Sequence, residues 1–213
     1  MTSAPPPKQR PSRPEVDTLM PLAERVEALA RSSGRAFLER DSKLASSLLA
    51  DDGEHARLES ALERAWMALL DGDPASGDMA KSAGLVAALE TISDLSATIC
   101  GHVVGLSGSP NVDEKSAIRK LAEMVPDMLT QALGALRAND ESSARSVIHQ
   151  APAADACFAQ SHLDLFENVQ KAGRFESTQR LQAVTSALER IGDGATDIAR
   201  FVCDNAALEA AAV

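Results

Sequence analysis

Apolar side chains recur along this chain every three to four residues, which is the spacing of one face of an α-helix. Leu22, Val26 and Leu29 begin the pattern, and segments rich in Gly, Asp or Ser interrupt it after residues 70 and 104. Pro21 suits a first helical position and Asp41 suits an N-cap. The pattern predicts six helices, at about 21–40, 41–70, 78–104, 113–138, 140–171 and 177–207.

The six helices fall into two copies of one unit. A shift of 99 residues places residues 22–26 on 121–125, Asp41 on Asp140, and residues 88–94 on 187–193, without a gap. One constant offset across three helical patterns indicates an internal repeat. We therefore expect an all-α fold of six antiparallel helices in two tandem three-helix bundles related by a pseudo-twofold. The units would span 16–110 and 111–213, the second with a short Ala-rich tail, after a disordered Pro-rich tail at 1–15.

Each unit carries one helix-breaking residue at the same place. Gly53 and Pro152 are 99 residues apart, and both fall inside the second predicted helix of their unit. Proline inside a helix removes a hydrogen bond and costs about 3 kcal/mol. We expect a kink or short break near residue 152 and a weaker one near residue 53.

Composition and charge narrow the function. The chain has 213 residues, 3% aromatics and a formal net charge of −10, which argues against nucleic-acid binding and against an anionic membrane surface. Cys100, Cys157 and Cys203 show no paired spacing and predict free thiols in a reducing compartment. No apolar run reaches membrane-spanning length, so we expect no stable membrane insertion and a cytoplasmic location.

The third helix of each unit carries a row of acids opposite its apolar stripe. Glu90 and Asp94 lie one turn apart in the first unit, and Glu189, Asp193 and Asp197 form the corresponding row in the second. A charged row is usually a solvated face. However, residues 82–114 contain no Lys or Arg, and like charges one turn apart destabilise a helix.

Carboxylates that converge without basic partners are typical ligands of hard cations. The second helix of each unit offers further candidates: Asp52, His55 and Glu59 in the first, and Asp155 and His162 in the second. The sequence therefore predicts a divalent or multinuclear metal site in each unit. It leaves iron, zinc, manganese and magnesium open.

Residues 188–199, which read LERIGDGATDIA, resemble the hallmark of the PhoU phosphate-signalling regulators. Residues 89–94, LETISD, are similar to the same hallmark in the first repeat, and the resemblance extends over residues 20–205. It implies two tandem three-helix bundles and metal binding through the E-x-x-x-D motif of each repeat. The motif residues are Glu90, Asp94, Glu189 and Asp193, with Asp197, Asp52 and Asp155 at further polar positions of the family.

The resemblance also implies a function and partners. Members of the family are non-enzymatic regulators, commonly dimeric, that link the ATPase subunit of a phosphate transporter to a sensor histidine kinase. They dampen phosphate uptake and the phosphate-starvation response. The chain is thus identified as a divergent PhoU-like adaptor, expected to form a homodimer and tuned by metal.

Two other functions compete with this one. A carboxylate-bridged metalloenzyme would need Glu-x-x-His motifs that point into the core, and the nearest spacing here is Asp52-x-x-His55. A purely structural or oligomerisation bundle would treat the acids as a mutually repelling surface. No segment resembles a phosphate-cradling loop, so we do not expect the protein itself to bind or transfer phosphate.

Overall fold

The computed structural model describes residues 14–50, 53–70, 77–108, 116–172 and 175–211, and every regular element within them is an α-helix. Seven helices follow one another along these residues: α1 (Pro14–Glu39), α2 (Ser42–Leu49), α3 (Glu54–Leu70), α4 (Gly77–Gly105), α5 (Ala117–Ala138), α6 (Glu141–Ala172) and α7 (Phe175–Ala211). The number exceeds six because α2 and α3 together take the place of one predicted helix. The tail predicted at 1–15 falls mostly on residues 1–13, which lie outside the described residues.

The helices form two bundles of three. Helices α1, α2/α3 and α4 pack together, and α5, α6 and α7 pack together. The bundles meet through two pairs of helices, α1 with α5 and α4 with α7. These four helices therefore form the centre of the protein, and α2/α3 and α6 lie on its flanks. The predicted all-α fold of two tandem three-helix units is confirmed.

Helix α1 begins at Pro14, so the predicted start at Pro21 is wrong. Val16 and Leu19 are buried and extend the apolar face of α1 ahead of Pro21. Pro21 lies inside the helix and is exposed. It has no N–H to donate to the carbonyl of Asp17, which is also an exposed residue. Because water can hydrate that carbonyl, the packing of the upstream apolar residues outweighs the loss of one hydrogen bond.

The break predicted near residue 53 separates α2 from α3. Ala50 is extended (φ −59°, ψ 154°), and the Gly53 N–H donates to the Ala50 carbonyl at 2.7 Å, which closes a tight turn. A Cβ atom at Gly53 would lie 2.7–2.8 Å from the carbonyl oxygens of Ser47, Leu48 and Ala50. The turn therefore requires glycine.

Of the kink or short break predicted near residue 152, the structure shows no break, and the kink stays a prediction. Helix α6 runs from Glu141 to Ala172 through Pro152 without interruption. Pro152 is exposed, so the carbonyl of Ile148, one turn earlier, lies towards the solvent side where water can replace the missing N–H. Val147 before the proline and Ala154 after it are both buried, so packing stabilises α6 on both sides of Pro152. The glycine, which forms a turn, interrupts its helix more strongly than the proline does.

The aspartates that open the second helix of each unit act alike. The Asp41 carboxylate accepts hydrogen bonds from the backbone N–H groups of Lys43 and Leu44, so the predicted N-cap is confirmed. Asp140 accepts from the Ser143 hydroxyl at 2.6 Å and from the N–H groups of Ser142 and Ser143. The Ser143 hydroxyl is the main reason that the pKa of Asp140 is lowered.

The pseudo-twofold axis passes between helices that are equivalent in the two units. Arg31 and Thr130 occupy equivalent positions, 99 residues apart, and the Arg31 guanidinium donates to the Thr130 hydroxyl at 2.8 Å. That hydroxyl donates in turn to Glu27 at 2.7 Å. Between the third helices, the α-carbon of Gly194 comes so close that a Cβ atom would lie 3.3 Å from Ile92. The two units are thus locked together by a polar contact and by close apolar packing.

Helix α4 is the most apolar helix of the centre. Within it, the segment Ser82–Gly105 is long and apolar enough to cross a membrane, although half of it is buried inside the protein. Leu89, Ile92 and Ile99 have at most 1% of their surface exposed. An apolar segment of this length was not expected from the sequence, and burial in the core of the bundle explains its apolar character.

The turn between α2 and α3 generates a prediction on stability. Gly53→Ala should lower the free energy of unfolding by about 1–3 kcal/mol, because its methyl group overlaps three carbonyl oxygens. Gly134→Ala is the matched control, since a Cβ atom there has no neighbour within 4 Å and alanine favours a helix interior by up to about 1 kcal/mol. Urea denaturation of both variants tests this; equal or reversed effects would contradict it.

Candidate functional site

The acids of the first unit lie along a groove between α3 and α4, which we call the α3–α4 groove. Glu90 and Asp94 are exposed on α4, on the side opposite its buried stripe. The Glu90 carboxylate accepts a hydrogen bond of 2.9 Å from the Trp66 indole N–H of α3. Partial burial raises the pKa of Asp94, helped by repulsion from Glu90 and Glu59 and opposed by His55. The first acidic row therefore faces α3.

His55 fixes α3 against α4 at the other end of this groove. Its Nδ1 atom lies 3.3 Å from the Ser93 hydroxyl, and Ser93 is buried. Ser93 sits directly before Asp94 in α4. The small residue beside the acid thus allows α3 to approach α4 closely.

The acids of the second unit lie in the same way along the α6–α7 groove. Glu189 is half-buried and Asp193 is exposed on α7, and Asp155 approaches both from α6. Partial burial raises the pKa of Glu189, and repulsion from Asp193 and Asp155 adds to the effect, against Arg190 and His162. The pKa of Asp193 is raised by burial first and then by Asp155 and Asp197. Three carboxylates thus repel one another in this groove.

Asp197 marks the end of the second row. It is exposed and forms an ion pair of 2.9 Å with Arg200, three residues further along α7. Arg200 in turn opposes the rise in the pKa of Asp193. Glu189 and Asp193 form no ion pair within the part of the chain that the structure describes, whereas Asp197 at the end of the row does.

The structure brings most of the predicted site residues together. Glu90 and Asp94 share one groove with His55 and Glu59, and Glu189 and Asp193 share the other with Asp155 and His162. Asp52 lies outside the described residues. Trp66, which donates to Glu90, was not among the predicted site residues. An indole is apolar except for one N–H donor. A Trp at the edge of the core therefore could have indicated a hydrogen bond to a polar side chain there.

The arrangement does not form a closed metal cage in the part of the chain that the structure describes. No three His, Cys, Asp or Glu side chains among these residues are placed to hold one ion. In the first groove Trp66 already occupies an oxygen of Glu90, and Ala56 stands where the second unit has Asp155. The residues described so far therefore do not by themselves fit a multinuclear metal centre.

The raised pKa values of the acids predict how stability depends on pH. The folded protein binds protons at Glu189 and Asp193 at a higher pH than the unfolded chain does, so their contribution to stability is present at low pH and lost as the pH rises through the raised values. The double variant Glu189→Gln/Asp193→Asn should therefore be more stable than wild type at about pH 7, by a few tenths of a kcal/mol.

The difference should vanish at about pH 3, where both carboxyl groups are protonated in either state. Thermal unfolding at the two pH values measures the effect. Glu63→Gln is the control, because Glu63 is exposed on α3 and has no ion pair among the described residues. A variant that is less stable than wild type at pH 7 would show that the acids have favourable partners.

Comparison with known proteins agrees with this architecture. The sequence profile of the PhoU domain matches residues 19–103 and again residues 118–202. A "phosphate-specific transport system accessory protein PhoU homolog" from Zymomonas mobilis is 26% identical over 185 residues, covering 83% of this chain and 77% of that protein.

Two solved structures share the fold. PhoU from Pseudomonas aeruginosa superposes with a TM-score of 0.72 at 22% identity, covering 88% of this chain and 93% of that one. The phosphate transport system regulatory protein PhoU from Streptococcus pneumoniae superposes with a TM-score of 0.71 at 16% identity, covering 89% and 92%. Since the PhoU domain profile matches most of the chain, once in each three-helix unit, the protein belongs to the PhoU family.

Proposed function

We propose that this protein is a cytoplasmic, non-enzymatic regulator of phosphate uptake and of phosphate-starvation signalling. It acts as a helical adaptor between the ATPase subunit of a phosphate transporter and a sensor histidine kinase, and it works as a homodimer. The names of the Zymomonas mobilis and Streptococcus pneumoniae relatives support a role in phosphate transport. The observation that carries the proposal is the pair of acidic rows, each presented outward on the third helix of a PhoU unit.

The energetics of the acids favour this role over that of a purely structural bundle. The raised pKa values of Asp94, Glu189 and Asp193 mean that their charged forms destabilise the fold at neutral pH. A bundle that served only as a scaffold would gain stability by losing them. Groups that cost stability and face outward are better explained by the binding of another molecule.

The outward position of the acids also favours an adaptor over a bundle metalloenzyme. In carboxylate-bridged enzymes the ligands project into the core between four helices. Here Glu90 and Asp94 are exposed on α4 and Asp193 on α7, and the opposite side of α4 is apolar, with Leu89 and Ile92 fully buried. The acidic rows can attract cationic groups, but the described residues do not enclose them in a chamber shielded from water.

Phosphate uptake in cells tests the function. Deletion of the gene in its own host should raise the uptake of radiolabelled phosphate at high external phosphate, and the wild-type gene should restore the low rate. A variant with Glu90→Gln, Asp94→Asn, Glu189→Gln and Asp193→Asn should fold yet restore it poorly, whereas Glu63→Gln should restore it fully. Unchanged uptake and unchanged starvation signalling after deletion would rule the proposal out.

Metal binding is the second part of the proposal, and it concerns the α6–α7 groove. Asp155, Glu189 and Asp193 repel one another, so a divalent cation nearby would relieve their repulsion. The described residues offer no closed cage, which suits a cation that keeps several of its waters, such as magnesium or manganese, better than iron or zinc. The first groove, where Trp66 already donates to Glu90, would attract a cation less.

Thermal unfolding in millimolar MgCl2 or MnCl2 tests this part. The melting temperature should rise with the divalent salt, because binding to the native state stabilises it. The rise should be smaller for Glu189→Gln/Asp193→Asn and nearly unchanged for Glu90→Gln/Asp94→Asn. NaCl at equal ionic strength is the control for screening. An equal rise in NaCl, or no difference between the variants, would refute metal binding at the second row.

A further inference from the structure

A cavity between α1 and α3 is lined by cationic groups, although the protein as a whole is acidic. Its volume is about 470 Å³, and its walls are formed by Arg25 of α1 and by Ala56, Arg57, Ser60 and Arg64 of α3. No acidic side chain of the described residues lines it. Three guanidinium groups around one cavity are unexpected in a chain with a net charge of −10, so they need an explanation.

Helix geometry places the polar residues of this cavity on the side of α3 that faces away from the acids. Arg57, Ser60 and Arg64 lie within about 60° of one another around the helix at 3.6 residues per turn. Trp66, which contacts Glu90 in the α3–α4 groove, follows Arg57 by nine residues, which is two and a half turns. The arginines of α3 are therefore not the partners of the acidic row in that groove.

Two of the three guanidinium groups have no partner within the described part of the chain. Arg57 and Arg64 are exposed, and neither forms an ion pair or a side-chain hydrogen bond there. No residue three or four positions from Arg64 along α3 is acidic. Glu54, three residues before Arg57, is already paired with Arg25. Both side chains can therefore donate to another molecule.

The third guanidinium group is held in place by that ion pair. The Nε atom of Arg25 donates to Oε1 of Glu54 at 2.8 Å, which ties α1 to the beginning of α3. This bond uses the Nε donor and leaves both Nη groups of Arg25 for other acceptors. The Arg25 side chain is partly exposed at the wall of the cavity. Glu54 therefore positions Arg25 without occupying all of its donors.

The second unit supplies an internal comparison. A shift of 99 residues gives, at the positions equivalent to the three arginines, Met124, Ala156 and Leu163. The two units share one fold, so the packing of the three-helix bundle does not require arginine at these positions. The cationic cluster is therefore specific to the first unit.

We propose that this cavity, which we call the α1–α3 pocket, binds a small phosphate-type oxyanion. Guanidinium groups donate parallel N–H bonds that match the oxygens of a phosphate group. A phosphate group carries more negative charge than a carboxylate and has three acceptor oxygens, so it can accept from several arginines at once. Ser60, between Arg57 and Arg64 on the same side of α3, adds a hydroxyl donor.

The dimensions of the α1–α3 pocket favour a ligand with more than one phosphate group. Arg57 and Arg64 are seven residues apart, which is about 10.5 Å along the helix at a rise of 1.5 Å per residue. The volume of the cavity lies in the range of small-molecule sites. A phosphate chain, as in tripolyphosphate or a nucleoside triphosphate, spans the two arginines better than a single phosphate ion does.

This proposal departs from the expectation that the protein itself does not bind phosphate. That expectation came from the lack of a phosphate-cradling loop, in which backbone N–H groups surround the anion. The α1–α3 pocket uses side chains from two helices instead, and these leave no compact motif in the sequence. The proposal goes beyond the proposed function and does not depend on it, because binding is measured on the purified protein.

Isothermal titration calorimetry with tripolyphosphate in metal-free buffer tests the pocket directly. Arg57→Gln and Arg64→Gln should each raise the Kd about tenfold or more, because each removes a charge-assisted hydrogen bond. Arg35→Gln is the matched control, since Arg35 is also exposed but does not line the pocket, and it should leave the Kd unchanged. Circular dichroism confirms that these surface variants fold.

Orthophosphate and ATP identify the ligand more closely. Orthophosphate should bind more weakly than tripolyphosphate, because it engages fewer of the arginines. Tighter binding of ATP than of tripolyphosphate would assign the pocket to a nucleotide, and equal binding would assign it to the phosphate chain alone. Matched ionic strength in NaCl controls for screening.

Three results would overturn the proposal. The first is that none of the three phosphate compounds binds at matched ionic strength. The second is that Arg35→Gln weakens binding as much as Arg57→Gln and Arg64→Gln do. The third is that a Glu-rich peptide binds while the phosphate compounds do not, because the pocket would then be a docking site for an acidic segment of another protein.

Discussion

The packing of α4 against α7 across the pseudo-twofold is the constraint on which the rest of the structure depends. Each third helix must bury one side in its own bundle and another against its counterpart, where Gly194 brings the backbone of α7 close to Ile92. The side that borders the flanking helix, α3 or α6, remains partly accessible. The acids lie at exposed or half-buried positions on that side in both units, where a charge can stay hydrated.

The same constraint explains why the acids are costly and yet stable in position. The flanking helix covers each row partly, which removes water from the carboxylates and raises the pKa of Asp94, Glu189 and Asp193. Burial of the stripe beneath them, which includes Leu89 and Leu188, holds the helices in place despite this repulsion. The two units have diverged at these rows. The first offers Trp66 as a hydrogen-bond donor to Glu90, whereas in the second Arg190 and His162 only partly offset the burial and repulsion of Glu189.

Much of this could be predicted from the sequence, because periodicity and a constant offset report directly on helices and on duplication. The two-unit fold, the N-cap at Asp41 and the outward side of Glu90 and Asp94 follow from such patterns. Patterns along one helix carry no distances between helices, however. They could not show that Trp66 reaches Glu90 or that the described ligands fall short of a closed metal cage. Helix propensity also does not tell whether packing outweighs a helix-breaking residue. The sequence therefore could not show that α6 continues through Pro152 while the chain turns at Gly53.

The carboxylates on these grooves are destabilised by partial burial and by one another more than their cationic neighbours stabilise them. Titration of the side-chain carboxyl resonances of Asp94, Glu189 and Asp193 by carbon NMR, in metal-free buffer, measures this most directly. The account predicts that all three titrate at a higher pH than ordinary aspartate and glutamate side chains, and that the value for Glu189 falls towards normal in Asp155→Asn. Values below the ordinary range would show that the acids are paired with cations in the folded protein, and would contradict the account.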